Sequence, residues 1–294
     1  KLISLGGKSA IADKYAGRVE GAWLWRWKDW IDKRFMNQFT DLPVMKPPLM
    51  PREVTTDMRE TLGDKPMCGG CGAKVGGGTL ASVLADMPAP KRADILSNPG
   101  DDAAVLDING TLQILTTDHL RALTEDPFTM ARIAAIHALG DAWAMGAKPQ
   151  AALASIILPK MRDKMQGDWL AEIMAAASGV FAQAGAEIVG GHTSIGSELT
   201  IGFTVTGMLD KPAITLAGAN PGDHLILTKP IGSGTIMAAE MAMKARGDWV
   251  ADALTAMMQP QSDAAEILRN AHAMTDVTGF GLAGHLMGIC KASG

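Results

Sequence analysis

The sequence predicts an α/β or α+β protein in which helices cover mixed β-sheets. Three observations carry this. From residue 63 onward, strand-like apolar runs alternate with longer helical patterns. Turn signals such as Asn109-Gly110 punctuate the runs. The chain is 47% hydrophobic and 20% charged, enough apolar surface for a core and too much for a disordered chain.

The elements follow in order. Ala103–Ile108 and Leu112–Thr117 read as strands of a hairpin turned at Asn109-Gly110. Asp126-Pro127 supplies an N-cap and a proline at the first helical position, and that helix runs to about Met145 and stops at Gly146. Ala151–Leu158 is a buried strand. A long helix spans about Asp168 to Ala184, closed by Gly185. Glu187–Val189 and Leu199–Leu209 are strands, Thr215–Asp223 an inter-domain connection, and His224–Thr228 a further strand. Helices are expected near Thr235–Ala245, Ser262–His272 and Phe280–Ser293.

Residues 1–62 differ in kind. They carry 11 basic and 8 acidic side chains, whereas the whole chain has a net charge of −4. Four of the seven Trp fall at Trp23, Trp25, Trp27 and Trp30. On a helical wheel Trp23, Leu24, Trp27, Trp30, Ile31 and Phe35 share a face, with Arg26, Asp29, Asp32 and Lys33 opposite. Such a helix fits either a membrane surface, through residues 20–40, or a docking site on its own domain or a partner. Pro43, Pro47, Pro48 and Pro51 mark an extended linker at 43–62. The chain opens without Met and stops directly after a helical pattern, which reads as a piece of something longer.

Composition excludes several classes. The net charge argues against a dedicated nucleic-acid binder. The clearest apolar run, Ala151–Leu158, is far shorter than the roughly 20 residues a membrane span needs. No secretory signal is present. Three cysteines cannot build a disulfide framework, so a reducing, cytoplasmic setting is expected, with a membrane-peripheral one allowed by the Trp-rich helix.

Chemistry concentrates in three places. The first is Cys68-Gly69-Gly70-Cys71-Gly72-Ala73-Lys74, leading into Gly76-Gly77-Gly78. A thiol three residues from a lysine suits a nucleophile, because a nearby ammonium favours the thiolate. The spacing also allows half a zinc site, a redox dithiol, or a flexible linker with incidental cysteines. The second is a set of acidic residues: Gly100-Asp101-Asp102 opening a strand, Thr116-Thr117-Asp118 ending one, Asp141 on an apolar helix face, and Asp276 within Thr275-Asp276-Val277-Thr278-Gly279-Phe280-Gly281. Each alone reads as a surface or capping residue, Asp141 least of all, because Ala134, Ala135, Ala138, Ala142 and Met145 suggest a buried face where a carboxylate needs a partner. Together they suit a hard cation such as Mg²⁺ bridging to phosphates. The third is Val189-Gly190-Gly191-His192-Thr193, where a double glycine lets backbone approach an anion, or where His192 is simply a structural hydrogen-bonder. No Walker A, kinase or Rossmann fingerprint occurs.

These motifs, with Asp141-x-x-Ala144-Met145-Gly146-x-Lys148-Pro149 and Leu227-Thr228-Lys229-Pro230-Ile231-Gly232, resemble the selenophosphate synthetases, members of the aminoimidazole ribonucleotide synthetase-like superfamily. The resemblance runs from about Met67 to Gly294. It implies a two-domain fold, an ATP-binding domain at 63–214 and an incomplete second domain at 215–294. It implies a reaction of selenide, ATP and water giving selenophosphate, AMP and phosphate, with Mg²⁺ as cofactor and a homodimer that places ATP across its interface. Residue by residue, it implies Cys71 and Lys74 as catalytic. Asp102, Asp141 and Asp276 become Mg²⁺ ligands. Lys74, Pro99, Gly100, Asp101, Asp118, Asp141, Gly190, Gly191 and His192 become ATP-binding. One departure stands out: some members carry a second Cys two positions after the catalytic one, where this chain has Ala73 and places its extra thiol at Cys68. The rival readings are another ATP-dependent small-molecule kinase of the superfamily, such as a thiamine-phosphate kinase, and a non-catalytic scaffold. Residues 1–42 resemble the C-terminal end of a type II NADH dehydrogenase-like flavoprotein, which implies FAD- and NADH-binding parts upstream of Lys1.

Overall fold

The computed structural model describes residues 2–14, 17–40 and 74–294. The described residues divide into two compact units, one within 1–66 and one within 67–294. The proline-rich linker and the Cys68–Cys71 segment expected from the sequence lie outside the described residues.

In the first unit, β1 (Leu2–Gly6), β2 (Ser9–Lys14) and β3 (Gly17–Gly21) form an antiparallel sheet in that order, followed by helix α1 (Ala22–Thr40). Sequence reasoning left these strands unassigned. Their signal is Gly7-Lys8, a two-residue turn with φ of 54° and 60°, which matches the strand twist. Ala10, Ile11 and Leu24 are buried. The expected apolar face of α1 is therefore split. Leu24 docks inward, while Trp23, Trp27 and Trp30 stand outside, each more than half exposed.

The second unit opens with α2 (Gly77–Ala85). The last two glycines of the Gly-rich segment are thus helical rather than loose. A five-stranded sheet follows, built from β4 (Ala104–Ile108), β5 (Thr111–Arg121), β6 (Lys148–Pro159), β7 (Glu187–Gly196) and β8 (Thr200–Leu209). Its order is β4-β5-β8-β6-β7, antiparallel throughout except for the β6–β7 pair. Helices α3 (Pro127–Ala144) and α4 (Asp163–Gln183) connect its strands. Beyond the sheet lie α5 (Ser233–Met241), α6 (Gly247–Met257), α7 (Ser262–Ile267) and α8 (Gly281–Ser293).

The local chemistry explains these bounds. Asn109 and Gly110 both have positive φ, so the β4–β5 hairpin turns as expected. Asp126 caps α3 by accepting from the Phe128 and Thr129 N–H groups, both at 3.2 Å. Gly146, at φ 74°, ends it. α3 is buried almost all round because it lies between the sheet and α4. Met130, Ala135, Ala138 and Leu139 have no exposed surface, and the rings of Phe181 and Phe203 meet edge-on at 5.0 Å. The other face of the sheet is open: Leu115, Thr117 and His119 of β5, and Leu153 and Ser155 of β6, are exposed.

Several expectations need correction. β5 continues to Arg121, so Asp118 sits inside a strand rather than at its end. β7 continues to Gly196, so Gly190-Gly191-His192 is strand backbone and not a strand-ending turn. The physical cause is pairing. β5 finds β8 along its full length and β7 finds β6, and partners extend a strand beyond its own apolar run. β6 alternates buried and exposed residues instead of being buried throughout, because one sheet face is open. His224–Thr228 forms no strand: no described segment pairs with it, and Leu225, Ile226 and Leu227 are exposed. α4 begins five residues earlier than expected. α5 ends at Met241, before Met243 at φ 55°, and α7 ends at Ile267. α6 was not anticipated.

Candidate active site

Three segments distant in sequence converge on the C-terminal part of α3. Asp141 lies on α3 and is buried. β5 runs beneath it, and the Thr116 hydroxyl donates to Asp141 Oδ2. Asp276 comes from the loop before α8. Gly140 makes room for it, since a Cβ there would stand 3.0 Å from Asp276 Oδ2. Asp102 comes from the bend before β4 and accepts from Thr275 Oγ1 at 3.0 Å. One carboxylate oxygen from each of Asp102, Asp141 and Asp276 lies within 4.8 Å of the others.

Such a cluster is electrostatically unfavourable alone. Burial first, and then the neighbouring Asp276 charge, push Asp102 and Asp141 up to about 8. Burial pushes Asp276 up as well. Asp102 Oδ2 is buried without a hydrogen-bond partner among the described residues. A buried, orphaned carboxylate oxygen beside two more carboxylates is the donor set of a hard divalent cation, which replaces protons as the source of positive charge. The residues present therefore fit Mg²⁺.

Beside the cluster stands a cationic group. Lys74 Nζ is 3.7 Å from Asp118 Oδ2 and 3.4 Å from Thr278 Oγ1, over the Phe280 ring at 5.7 Å. His137 Nε2 lies 2.9 Å from the same Asp118 oxygen, though its N–H is not aimed squarely at it. Burial works against charge on Asp118, but His137 and then Lys74 outweigh it and hold the carboxyl down at about 2. Asp118 is thus an ionised group next to three acids that resist ionisation.

The remaining expected residues that the structure describes lie elsewhere. Cys71 is outside the described residues. Asp101 turns toward Leu216, accepting from its N–H at 3.4 Å, and with Pro99 and Gly100 borders a 520 Å³ cavity that the clustered aspartates do not line. Gly191 sits against β6 so closely that a Cβ would fall 2.1 Å from the Ala154 carbonyl oxygen. His192 is in register with Ser155, Gly202 and His119, a row on the open sheet face. It is three strands and about 14 Å from β5, whose Asp118 faces the helix side. Sequence reasoning passed over Thr116, His137 and His285. His137 had a readable signal: it stands four residues before Asp141, hence on the same face of a buried helix.

Comparison with known proteins identifies the fold. Residues 100–209 match the AIR synthase related protein, N-terminal domain, and residues 220–294 the corresponding C-terminal domain. The thiamine-monophosphate kinase of Stenotrophomonas maltophilia K279a superposes with a TM-score of 0.54 at 24% identity, over 69% of this chain and 68% of that one. The structure "AaThiL complexed with AMPPCP and TMP" superposes at 0.56 and 19%, over 68% and 64%. The fold is that of the AIR synthase-like proteins.

The sequence comparison is narrower. A selenide, water dikinase of Desulfitobacterium hafniense (strain DSM 10664 / DCB-2) is 41% identical over 223 residues, covering 74% of this chain and 65% of that protein. The enzyme of that name from Myxococcus xanthus is 36% identical over 249 residues, covering 82% and 70%. The chain belongs to the selenide, water dikinase family. It spans about two thirds of the length of these relatives.

Proposed function

We propose that this protein makes selenophosphate from selenide, ATP and water, releasing AMP and phosphate. The observation that carries the reading is the convergence of Asp102, Asp141 and Asp276 beside Lys74 in a chain of this family. The three aspartates would hold Mg²⁺, which supplies charge neutralisation at phosphate oxygens. Lys74 would add a point charge at the transferred phosphoryl group, and Asp118, kept ionised, holds the Lys74 ammonium in place. Cys71 as thiolate would deliver the selenium species. The open sheet face supports a homodimer in which the second copy covers it and brings Gly190, Gly191 and His192 to the nucleotide. Phosphorus NMR with ATP, Mg²⁺ and selenide tests the reaction. Selenide-dependent AMP and selenophosphate, lost in Cys71→Ala, are expected. ADP without selenophosphate would favour another kinase of the fold, and no ATP turnover would favour a scaffold.

A second reading concerns residues 20–40. No helix among the described residues is long and apolar enough to cross a membrane. Trp23, Trp27 and Trp30 nevertheless form an exposed stripe on α1, and Arg34 stacks on Trp30 at 5.5 Å. Asp29 and Asp32 are paired with Lys33 and Lys28, which leaves Arg26 and Arg34 as net positive charge on the helix, Arg34 against the stripe. This supports contact with an anionic bilayer surface, where Trp rings sit at the headgroup level. Co-sedimentation with phosphatidylserine-containing vesicles, weakened at least about tenfold by Trp27→Glu, is expected. Equal sedimentation of both would end the reading. The likeness of residues 1–42 to a flavoprotein tail belongs to the same reading, with FAD and NADH held by parts other than this chain.

A further inference from the structure

His285, on the second turn of α8, lies under the loop that carries Asp276. Its Nε2 accepts from the Thr278 backbone N–H at 3.1 Å. A backbone N–H can only donate, so this ring nitrogen carries no proton. The neutral ring then holds its proton on Nδ1, which is 3.4 Å from Thr275 Oγ1. Thr275 Oγ1 is in turn 3.0 Å from Asp102 Oδ1 and 3.2 Å from its other acceptor, the Asp276 carbonyl. Asp102 Oδ1 is the nearer of the two acceptors. The hydrogen bonds therefore run in one direction: His285 Nδ1–H to Thr275 Oγ1, and Thr275 O–H to Asp102.

The same ring reaches the lysine. Thr278 Oγ1, 3.3 Å from His285 Nε2, accepts from Lys74 Nζ at 3.4 Å. The Phe280 ring beneath Lys74 lies 5.8 Å from the imidazole, and Gly284 is needed for this packing, since a Cβ there would stand 2.8 Å from Phe280 Cβ. Burial disfavours the imidazolium, consistent with a ring that serves by accepting at one nitrogen and donating at the other.

We infer that His285 is a positioning residue for the cation site, orienting Asp102 through Thr275 and holding the Asp276 loop through Thr278. The inference rests on the reading of Asp102, Asp141 and Asp276 as a divalent-cation site. His285 reaches Asp102 through Thr275, so its effect belongs in cation affinity before turnover. Partners that orient a metal's ligands are worth about 10–100-fold in affinity.

The test uses Mn²⁺ alone, titrated into the protein and followed by the EPR signal of the free ion, without nucleotide. The unaltered protein is expected to bind, and Asp276→Asn to lose binding. His285→Ala should weaken binding about 10–100-fold. Thr275→Val, which cuts the next link without changing shape, should weaken it by a similar factor and melt at nearly the same temperature as the unaltered protein. The double variant should lose little more than either single one, because both break one chain. His285→Asn, whose amide can donate to Thr275 in place of Nδ1, should recover most of the affinity. Mn²⁺ binding by His285→Ala or by Thr275→Val equal to the unaltered protein would overturn the inference, as would losses that multiply in the double variant. An unaltered protein that fails to bind Mn²⁺ overturns the cation-site reading itself, and the inference with it.

Discussion

Asp141→Asn is expected to raise the melting temperature of the cation-free protein at pH 8 while abolishing its response to Mg²⁺. Both effects have one source. Asp102 and Asp141 are held up to about 8 in the native state, against about 4 for an unfolded aspartate. Between those values the native protein binds more protons than the unfolded chain, so stability falls as pH rises from about 4 to about 8. Asn has nearly the same shape and can still accept from Thr116, but it removes one of the crowded charges. Mg²⁺ should therefore stabilise the unaltered protein more at pH 8 than at pH 5, where protons already occupy the cluster. ATP turnover by Asp141→Asn should drop at least about 100-fold, given the several kcal/mol a bound metal contributes at developing phosphate charge. Thermal melts at pH 5 and 8, with and without Mg²⁺, check the first part, and phosphorus NMR the second. Identical Mg²⁺ shifts in both proteins would show that the cation binds elsewhere.

Lys74→Ala is expected to lower kcat by about 10²–10³ with a smaller change in KM for ATP. A preorganised charge aimed at a reacting group is worth that much when water is excluded, and most of its worth appears in the transition state. Lys74 is placed by three unlike partners: the Asp118 carboxylate, the Thr278 hydroxyl and the Phe280 ring. Their spacing suits a compact ammonium. Lys74→Arg should therefore recover only part of the rate, because a planar guanidinium cannot meet all three from the same position. Steady-state kinetics on both variants decide this. A loss confined to KM would make Lys74 a ground-state anchor for the nucleotide instead.

The fold was most legible where local rules act alone. Asn109-Gly110 specifies its hairpin turn, and Asp126-Pro127 with Gly146 specifies both ends of α3. These signals need only the residues themselves. Strand lengths were less legible, because β5 and β7 extend as far as β8 and β6 let them. The apolar run at His224–Thr228 was misleading for the same reason: a strand is a relation between segments, and no described segment answers it. On α1, Trp23 and Leu24 looked equivalent on the wheel, but only Leu24 finds a neighbour to bury it.

The candidate site divides in the same way. Sequence alone determined which residue types were available: the aspartates in Gly-rich or apolar surroundings, the lysine after the paired cysteines, and the motif order that places the chain in its family. It marked Asp141 as a carboxylate on an otherwise apolar helix face, where charge demands a partner. The meeting of Asp102, Asp141 and Asp276 was decided only by the tertiary structure. They lie up to 174 residues apart, and their approach depends on Gly140 admitting a loop and on α3 packing against the sheet. The same holds for the directed bonds from His285 to Asp102, which join side chains that no sequence spacing relates. Only folding removes the water that would otherwise screen these charges, so only the folded chain gives the acids their need for a cation.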